Sequence, residues 1–161
     1  MTRLPNLGPR GEGWVAAQFA LFALIALAGI VRAGDWSGVA SGLATLGGLG
    51  LVAAGGAIAV AATLALRRAA AFTALPRPRE DGALVETGVY RLVRHPIYGG
   101  LVLVAAGWAL ARASIAALLA TAALIVLFAL KAVREEAWLA ERHPGYADYR
   151  RRTRRFVPWL F

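Results

Sequence analysis

Four apolar segments constrain the fold of this chain more than any other feature of its sequence. Residues 14–31 and 39–66 are long enough to cross a bilayer, because a helix rises about 1.5 Å per residue and the apolar core is about 30 Å thick. Residues 98–111 and 114–130 are shorter and separated only by a short turn, which predicts a tight helical hairpin. Since further spans follow the first segment, we interpret it as a retained helix rather than a signal peptide. The pattern predicts an all-α, polytopic membrane protein with about four transmembrane helices.

Positive charges are distributed unevenly around these segments. The regions before the first span, between the second and third, and after the fourth hold 2, 6 and 8 of the 18 Lys and Arg, and the two other loops hold one each. Cytoplasmic loops of membrane proteins carry the excess of Lys and Arg. We therefore expect both termini and the 67–97 loop to face the cytoplasm, in what we take to be a bacterial inner membrane. Nothing beyond charge suggests a nucleic-acid partner.

The chain is short enough to be a single membrane domain of 161 residues. Residues 1–66 would supply two N-terminal transmembrane helices, and residues 67–161 a core with a basic tail. The second span is rich in glycine and includes Gly38 and Gly42 at Gly-x-x-x-Gly spacing. Small residues let helix backbones approach closely in lipid. We interpret these glycines as intramolecular packing positions rather than a dimer face, and the sequence does not indicate an oligomeric state.

The loop before the third span has a distinctive end. Pro76, Pro78 and Gly82 prevent a continuous helix there. Pro96 suits the first turn of a helix, where its missing N–H would have no partner in any case. The third helix is thus expected to start at the cytoplasmic boundary, and its free N–H groups and positive dipole end would attract an anion such as a carboxylate.

The fourth helix is expected to continue beyond the bilayer through "KAVREEAWLAER" until Pro144 and Gly145 end it. Glu135 and Glu136 are adjacent in this extension. Neighbours on a helix differ by about 100°, so only one of the two can point squarely into the bundle. Lys131 lies one turn before Glu135, on the same side.

Both histidines of the chain occur in the same pentapeptide, Arg-His-Pro-x-Tyr, but in different settings. His95 stands between an irregular loop and a membrane span, with Glu135 expected opposite it on the hairpin partner. His143 stands at a helix end in a polar tail, and the sequences flanking the two sites share nothing. A true repeat would bring similar helices to both sites. We interpret the second occurrence of the pentapeptide as accidental and His143 as a capping or solvated residue. With no Cys and two His, no metal site is expected.

A series of motifs over residues 71–158 resembles a known family. They are "LVETGVYRLVRHPIYGG", a hydrophobic hairpin, "REEAWL" and "YADYRRRTRRFVP". The chain is similar to the isoprenylcysteine carboxyl methyltransferase and phospholipid methyltransferase superfamily of integral membrane enzymes. The matching positions are Gly88 and Tyr90, Arg94 to Tyr98, Glu135, Glu136 and Leu139, Tyr146 and Tyr149, and Pro158. Val89 departs from the pattern, since many relatives have Pro there.

The resemblance implies methyl transfer from S-adenosylmethionine to a lipophilic or lipid-linked acceptor at the cytoplasmic membrane face. Residues 67–161 would form the methyltransferase-like core. By matching position, Lys131 would contact the substrate, although relatives have a different basic residue there, and we add Arg134 to that group. The residues expected to bind the cofactor are Leu84, Val85, Tyr90, Arg94, His95, Pro96, Ile97, Tyr98 and Glu135.

The chemical groups of S-adenosylmethionine suit these residue types. A half-buried Glu135 would bind the ammonium or the ribose diol by charge-assisted hydrogen bonds. The start of the third helix, with His95 or Arg94, suits the carboxylate, and tyrosine rings suit adenine or the sulfonium. A carboxylate or thiolate acceptor needs no general base. An amine acceptor does, and His95 or Glu136 would then be the candidates.

Two other functions compete with this reading. Membrane sterol reductases carry a related His-Pro-x-Tyr and use a nicotinamide cofactor, but they have a longer bundle and tend to have Arg-Asp in place of the Glu-Glu pair. A non-catalytic membrane scaffold with the same fold is the other alternative. The basic tail would either dock on anionic inner-leaflet lipid or be a generic positive-inside tail.

Overall fold

A computed structural model of the chain describes residues 7–31, 39–78 and 82–157. The helices in this part are α1 (Glu12–Val31), α2 (Val39–Arg68), a short 3-10 helix (Gly88–Arg91), α3 (Pro96–Ala111), α4 (Ile115–Arg142) and α5 (Tyr146–Arg152). The predicted all-α class is confirmed, and the described residues contain no strand beyond one isolated bridge. Gly38 and Pro158 lie outside the described residues.

Three of the helices are long and apolar enough to cross a membrane, namely α1, α2 and α4. The chain is therefore an integral membrane protein. Helix α3 has 16 residues, about 24 Å of helix, and so falls short of a full crossing by itself. This is the short hairpin partner that the sequence predicts. Helix α4 continues past residue 130 to Arg142, as expected.

The tip of the α3–α4 hairpin holds the end of α1. The Ser114 side chain accepts a hydrogen bond from the Ala117 N–H at 3.2 Å and so caps α4. Its hydroxyl also donates to the Ala28 carbonyl at 2.9 Å, and Arg112 Nε donates to the Gly29 carbonyl at 3.0 Å. The last carbonyls of a helix lack partners within it. The hairpin tip supplies donors to them and fixes α1 beside α3 and α4.

Helices α2 and α3 meet along glycines. Gly48 lies against Gly107 and Gly55 against Gly100, so closely that a Cβ on any of them would overlap the facing carbonyl oxygen. The intramolecular reading of the α2 glycines is thus right for two of them. A Cβ on Gly42 would meet no atom of another element within 4 Å, so the described half of the Gly-x-x-x-Gly pair takes no part in the contact between α2 and α3.

The C-terminal segment folds back against the start of α3. Arg94 N–H donates to the Arg154 carbonyl at 2.8 Å, and His95 N–H donates to the Arg155 carbonyl at 3.0 Å. The buried Tyr149 hydroxyl donates to the Tyr90 carbonyl at 2.9 Å. The tail therefore belongs to the folded structure, and it forms one side of the region where α3 begins and α4 extends.

Candidate functional site

A cavity of about 270 Å³ lies where the start of α3 meets the extension of α4. Helices α1 and α2, residues within 71–78 and 82–85, and helix α5 also contribute to its wall. Pro96 starts α3 but does not line the cavity. The other eight residues expected to bind a cofactor all line it: Leu84, Val85, Tyr90, Arg94, His95, Ile97, Tyr98 and Glu135.

Glu135 and Tyr98 meet inside this cavity. The Tyr98 hydroxyl donates to Glu135 Oε2 at 2.7 Å, and His95 Nδ1 lies 3.7 Å from the same oxygen. The rings of His95 and Tyr98 are stacked with centroids 5.3 Å apart, and Tyr98 stacks on Phe128 at 4.6 Å. The arrangement arises because Pro96 starts α3, which places Tyr98 in its first turn beside the neighbouring helix. A carboxylate, an imidazole and a ring face thus occupy one wall.

Glu136 lies on the other side of His95, outside the cavity lining. Its side chain is 5% exposed and accepts from Arg94 Nε at 3.1 Å and from Arg155 through Nε at 3.0 Å and Nη2 at 2.9 Å. His95 Nε2 is 3.2 Å from Glu136 Oε1. The bond to Glu136 raises the pKa of Arg155. Glu136 is thus held among cationic partners outside the cavity lining, and its role as a general base for an amine acceptor stays a prediction.

Arg94 lines the cavity, but much of its guanidinium is engaged elsewhere. Besides the bond from Nε to Glu136, Nη1 donates to the Thr153 carbonyl at 2.6 Å. These bonds tie the tail to the start of α3. Arg94 therefore also holds the tail against the start of α3, a role that the sequence motif did not predict.

The two residues expected to contact substrate are separated. Lys131 lines the cavity, donates to Gln18 Oε1 at 2.7 Å and to the Ala74 carbonyl at 3.3 Å, and lies 5.1 Å from the centre of the Tyr98 ring. Arg134 does not line the cavity, and its guanidinium lies 4.3 Å from the Trp138 ring. Since Arg134 is one residue before Glu135, it is rotated by about 100° around the helix. Arg134 therefore lies outside this cavity, and its contact with a substrate stays a prediction.

His143 ends α4, and its N–H donates to the Leu139 carbonyl at 2.9 Å. This agrees with the capping role, but the half-buried side chain also lines the cavity, which the sequence did not suggest. Desolvation lowers the pKa of His143, which favours a neutral imidazole.

Three further tyrosines line the cavity as neutral phenols, in addition to Tyr98. Burial raises the pKa of Tyr90, Tyr146 and Tyr149. The hydroxyl of Tyr149 bonds to the backbone, as described above. The Tyr146 hydroxyl is buried without a hydrogen-bond partner among the described residues.

Several residues at the site escaped the sequence analysis. Gln18 is a polar residue in the middle of an apolar span, a signal that could have marked it. Arg155 and Thr153 belong to a basic tail that resembles any positive-inside segment, and Phe156 lies 5.8 Å from His95. Within the described ranges, no group of three or more potential ligands could hold a metal ion.

Comparison with known proteins adds one match. A family model described as phospholipid methyltransferase matches residues 43–144. This range includes most of α2, the loop, the hairpin and the α4 extension with Glu135, whereas α1 and α5 lie outside it. No curated protein and no solved structure matches the chain.

Proposed function

Because the chain belongs to the phospholipid methyltransferase family, we propose that it transfers a methyl group from S-adenosylmethionine to a lipophilic or lipid-linked acceptor at the cytoplasmic membrane face. Family membership implies a methyltransferase with a lipid or lipophilic substrate. The identity of the methyl donor and the face of the membrane are the parts that we add.

One observation carries the proposal: Glu135, Tyr98 and His95 meet in the cavity at the start of α3. The cavity is close to the lower end of the range of about 300–1,000 Å³ that small-molecule sites occupy. Glu135 offers a carboxylate to an ammonium or a diol. The first turn of α3 offers N–H groups without helical partners to a carboxylate.

The remaining walls also fit the proposed cofactor. The rings of Tyr90 and Tyr98 suit an adenine or a sulfonium, and Leu84, Val85 and Ile97 add apolar surface. When bound, the cofactor supplies a methyl group activated by sulfonium sulfur. The protein then has to align the acceptor, exclude water and hold the charged ends in place. We propose that Lys131 contacts the acceptor, and we leave Arg134 out because it faces away from the cavity.

We further propose that the termini and the α2–α3 loop face the cytoplasm of a bacterial cell. The guanidinium-bearing side chains of Arg150, Arg151 and Arg152 on α5 are 62–76% exposed. Anionic lipid attracts such groups by about 1 kcal/mol per Arg near its surface. Docking of α5 on the inner leaflet would bring the cavity close to lipid acceptors.

Binding measurements on the purified protein in nanodiscs test the proposal. We expect saturable binding of S-adenosylmethionine and none of NADPH. Glu135→Ala should weaken cofactor binding by about 10-fold or more, since a hydrogen bond to a charged group contributes about 1.5–3 kcal/mol. Glu141→Ala, which removes an exposed acid from the same helix, should leave affinity unchanged. Saturable binding of NADPH, or no binding of S-adenosylmethionine by the intact protein, would contradict the proposal.

A further inference from the structure

The hydroxyl of Tyr146 is an exception among the buried hydroxyls of the described residues. Tyr146 is 1% exposed, and its hydroxyl has no hydrogen-bond partner in the described part of the chain. Other buried hydroxyls donate to backbone carbonyls at 2.7–2.9 Å, namely those of Ser114, Thr121, Tyr149 and Thr153. A buried hydroxyl without a partner costs free energy that a partner would recover. Because Tyr146 lines the cavity, a molecule bound there can supply that partner.

Helix α4 shows which end of the cavity Tyr146 occupies. A row of side chains at four-residue spacing along this helix lines the cavity: Lys131, Glu135, Leu139 and His143. The cavity therefore extends along about 18 Å of α4. The Tyr146 N–H donates to the His143 carbonyl at 2.9 Å, which places the start of α5 at the His143 end.

The two ends of this row differ in charge. Lys131 and Glu135 are the charged residues of the row. At the other end Leu139 is apolar, and desolvation lowers the pKa of His143, which favours a neutral imidazole. Burial raises the pKa of Tyr146, so its phenol is neutral as well. A ligand group at this end therefore meets apolar surface and neutral hydrogen-bonding side chains.

The charges next to Tyr146 outside this row offset one another. Arg94 and Glu136 act on the Tyr146 hydroxyl with opposite signs. They form an ion pair with each other, with Arg94 Nε 3.1 Å from Glu136 Oε1. A ligand group beside Tyr146 thus does not have to carry a charge to compensate either of them.

The proposed cofactor is divided in the same way as the cavity. Its methionine part carries a carboxylate, an ammonium and the sulfonium, whereas its adenosine part is neutral and rich in hydrogen-bonding nitrogen and oxygen atoms. We infer that the Tyr146 hydroxyl forms a hydrogen bond with the adenosine part, which lies at the His143 end of the cavity. The inference rests on the proposed function. It adds to the cofactor site a residue of α5, outside the family-matched range of 43–144.

The first test compares the native protein with Tyr146→Phe by calorimetric titration in nanodiscs of neutral lipid. S-adenosylmethionine carries both parts of the cofactor, whereas 5′-methylthioadenosine carries the nucleoside without the carboxylate and the ammonium. We expect Tyr146→Phe to weaken binding of both probes by a similar factor, about tenfold, because each loses the same hydrogen bond. Unchanged affinity for both would overturn the inference. A loss confined to S-adenosylmethionine would also overturn it, since the hydroxyl would then serve the methionine part.

Thermal unfolding separates a ligand contact from a structural role. Without ligand, Tyr146→Phe should unfold at the same temperature as the native protein or higher, because the lost hydroxyl has no partner among the described residues. The rise in unfolding temperature on adding 5′-methylthioadenosine should be smaller in this variant. Glu141→Ala, which changes an exposed residue near the same end of α4, should leave both affinities unchanged. A destabilised Tyr146→Phe that binds both probes normally would assign the hydroxyl to the fold and overturn the inference.

The two probes also separate this inference from the proposed function. Equal binding of S-adenosylmethionine by the native protein and by Tyr146→Phe would overturn the inference alone. A native protein that binds 5′-methylthioadenosine but not S-adenosylmethionine would contradict the proposed function, and the comparison with Tyr146→Phe would still decide the role of the hydroxyl. Binding of neither probe would contradict both.

Discussion

The adjacent residues Glu135 and Glu136 have different surroundings and different hydrogen-bond partners. Glu135 accepts from Tyr98 inside the cavity, whereas Glu136 is buried among Arg94, His95 and Arg155. Helical geometry predicts that the two acids diverge. It does not predict that His95 lies between them and contacts both, because that depends on where α3 places the imidazole. The two tyrosines of α5 also differ: the Tyr149 hydroxyl forms a hydrogen bond, whereas the Tyr146 hydroxyl has no partner among the described residues.

Removing the hydroxyl of Tyr149 should destabilise the protein. This hydroxyl is buried and donates to the Tyr90 carbonyl, so Tyr149→Phe leaves a buried acceptor without its partner. We expect the free energy of unfolding in detergent to fall by about 1 kcal/mol or more. Tyr146→Phe is the matched control, because its hydroxyl has no partner among the described residues. That variant should be as stable as the native protein or more so, and a larger loss for Tyr146→Phe than for Tyr149→Phe would contradict this account.

Close backbone approach joins the helices that frame the site. The seam of Gly48, Gly55, Gly100 and Gly107 draws α2 against α3, which starts at the cavity. Glycine-rich composition predicts that α2 packs closely against something. Composition cannot say which glycines face α3 and which face lipid, because many of them fall on different sides of the helix. The tertiary contacts make that distinction.

Neighbouring glycines of α2 provide a direct comparison. A Cβ on Gly55 would lie 2.5 Å from the Gly100 carbonyl oxygen, while a Cβ on Gly56 would meet nothing within 4 Å. Gly55→Ala should therefore lower the stability of the fold by about 1–3 kcal/mol through overpacking. Gly56→Ala should be neutral or stabilising by up to about 1 kcal/mol, since Ala is the better helix former. Thermal unfolding in nanodiscs measures both, and equal effects would show that α2 does not pack on α3 through Gly55.

At the scale of the whole molecule, distant parts of the chain converge on one end of the bundle. Gln18 comes from α1, Lys131 and Glu135 from α4, and Arg155 from the tail. The family-matched range of 43–144 contains only part of this assembly. The hairpin tip lies at the opposite end of the helices and holds the end of α1. The bundle therefore has two distinct ends, and the charge distribution predicts that they lie on opposite sides of the membrane.

Single cysteines can test this orientation, because the chain has none of its own. Glu86→Cys and Arg151→Cys lie at the cavity end, and the exposed Ala116→Cys lies in the first turn of α4 beside the hairpin tip. A membrane-impermeant maleimide should label the first two in inverted membrane vesicles and the third in right-side-out vesicles. Labelling of all three from the same side would contradict the orientation.

The sequence by itself determined the elements of this protein. Hydropathy located the long helices and the hairpin, Pro96 marked the start of α3, and Pro144 and Gly145 marked the end of α4. These are local signals, since they depend on the solvent around a segment and on backbone geometry within a few residues. Resemblance to a family then pointed to several of the residues that line the cavity, among them His95, Tyr98 and Glu135.

Only the tertiary structure decided which side chains share that cavity. It brought Gln18 to Lys131 across 113 positions of the chain, turned Arg134 away, and closed the tail onto Glu136 through Arg155. Such contacts join residues far apart in sequence, and they depend on how whole helices pack and rotate against one another. No periodicity along a single segment records that arrangement, because the same apolar pattern is compatible with many packings of the bundle.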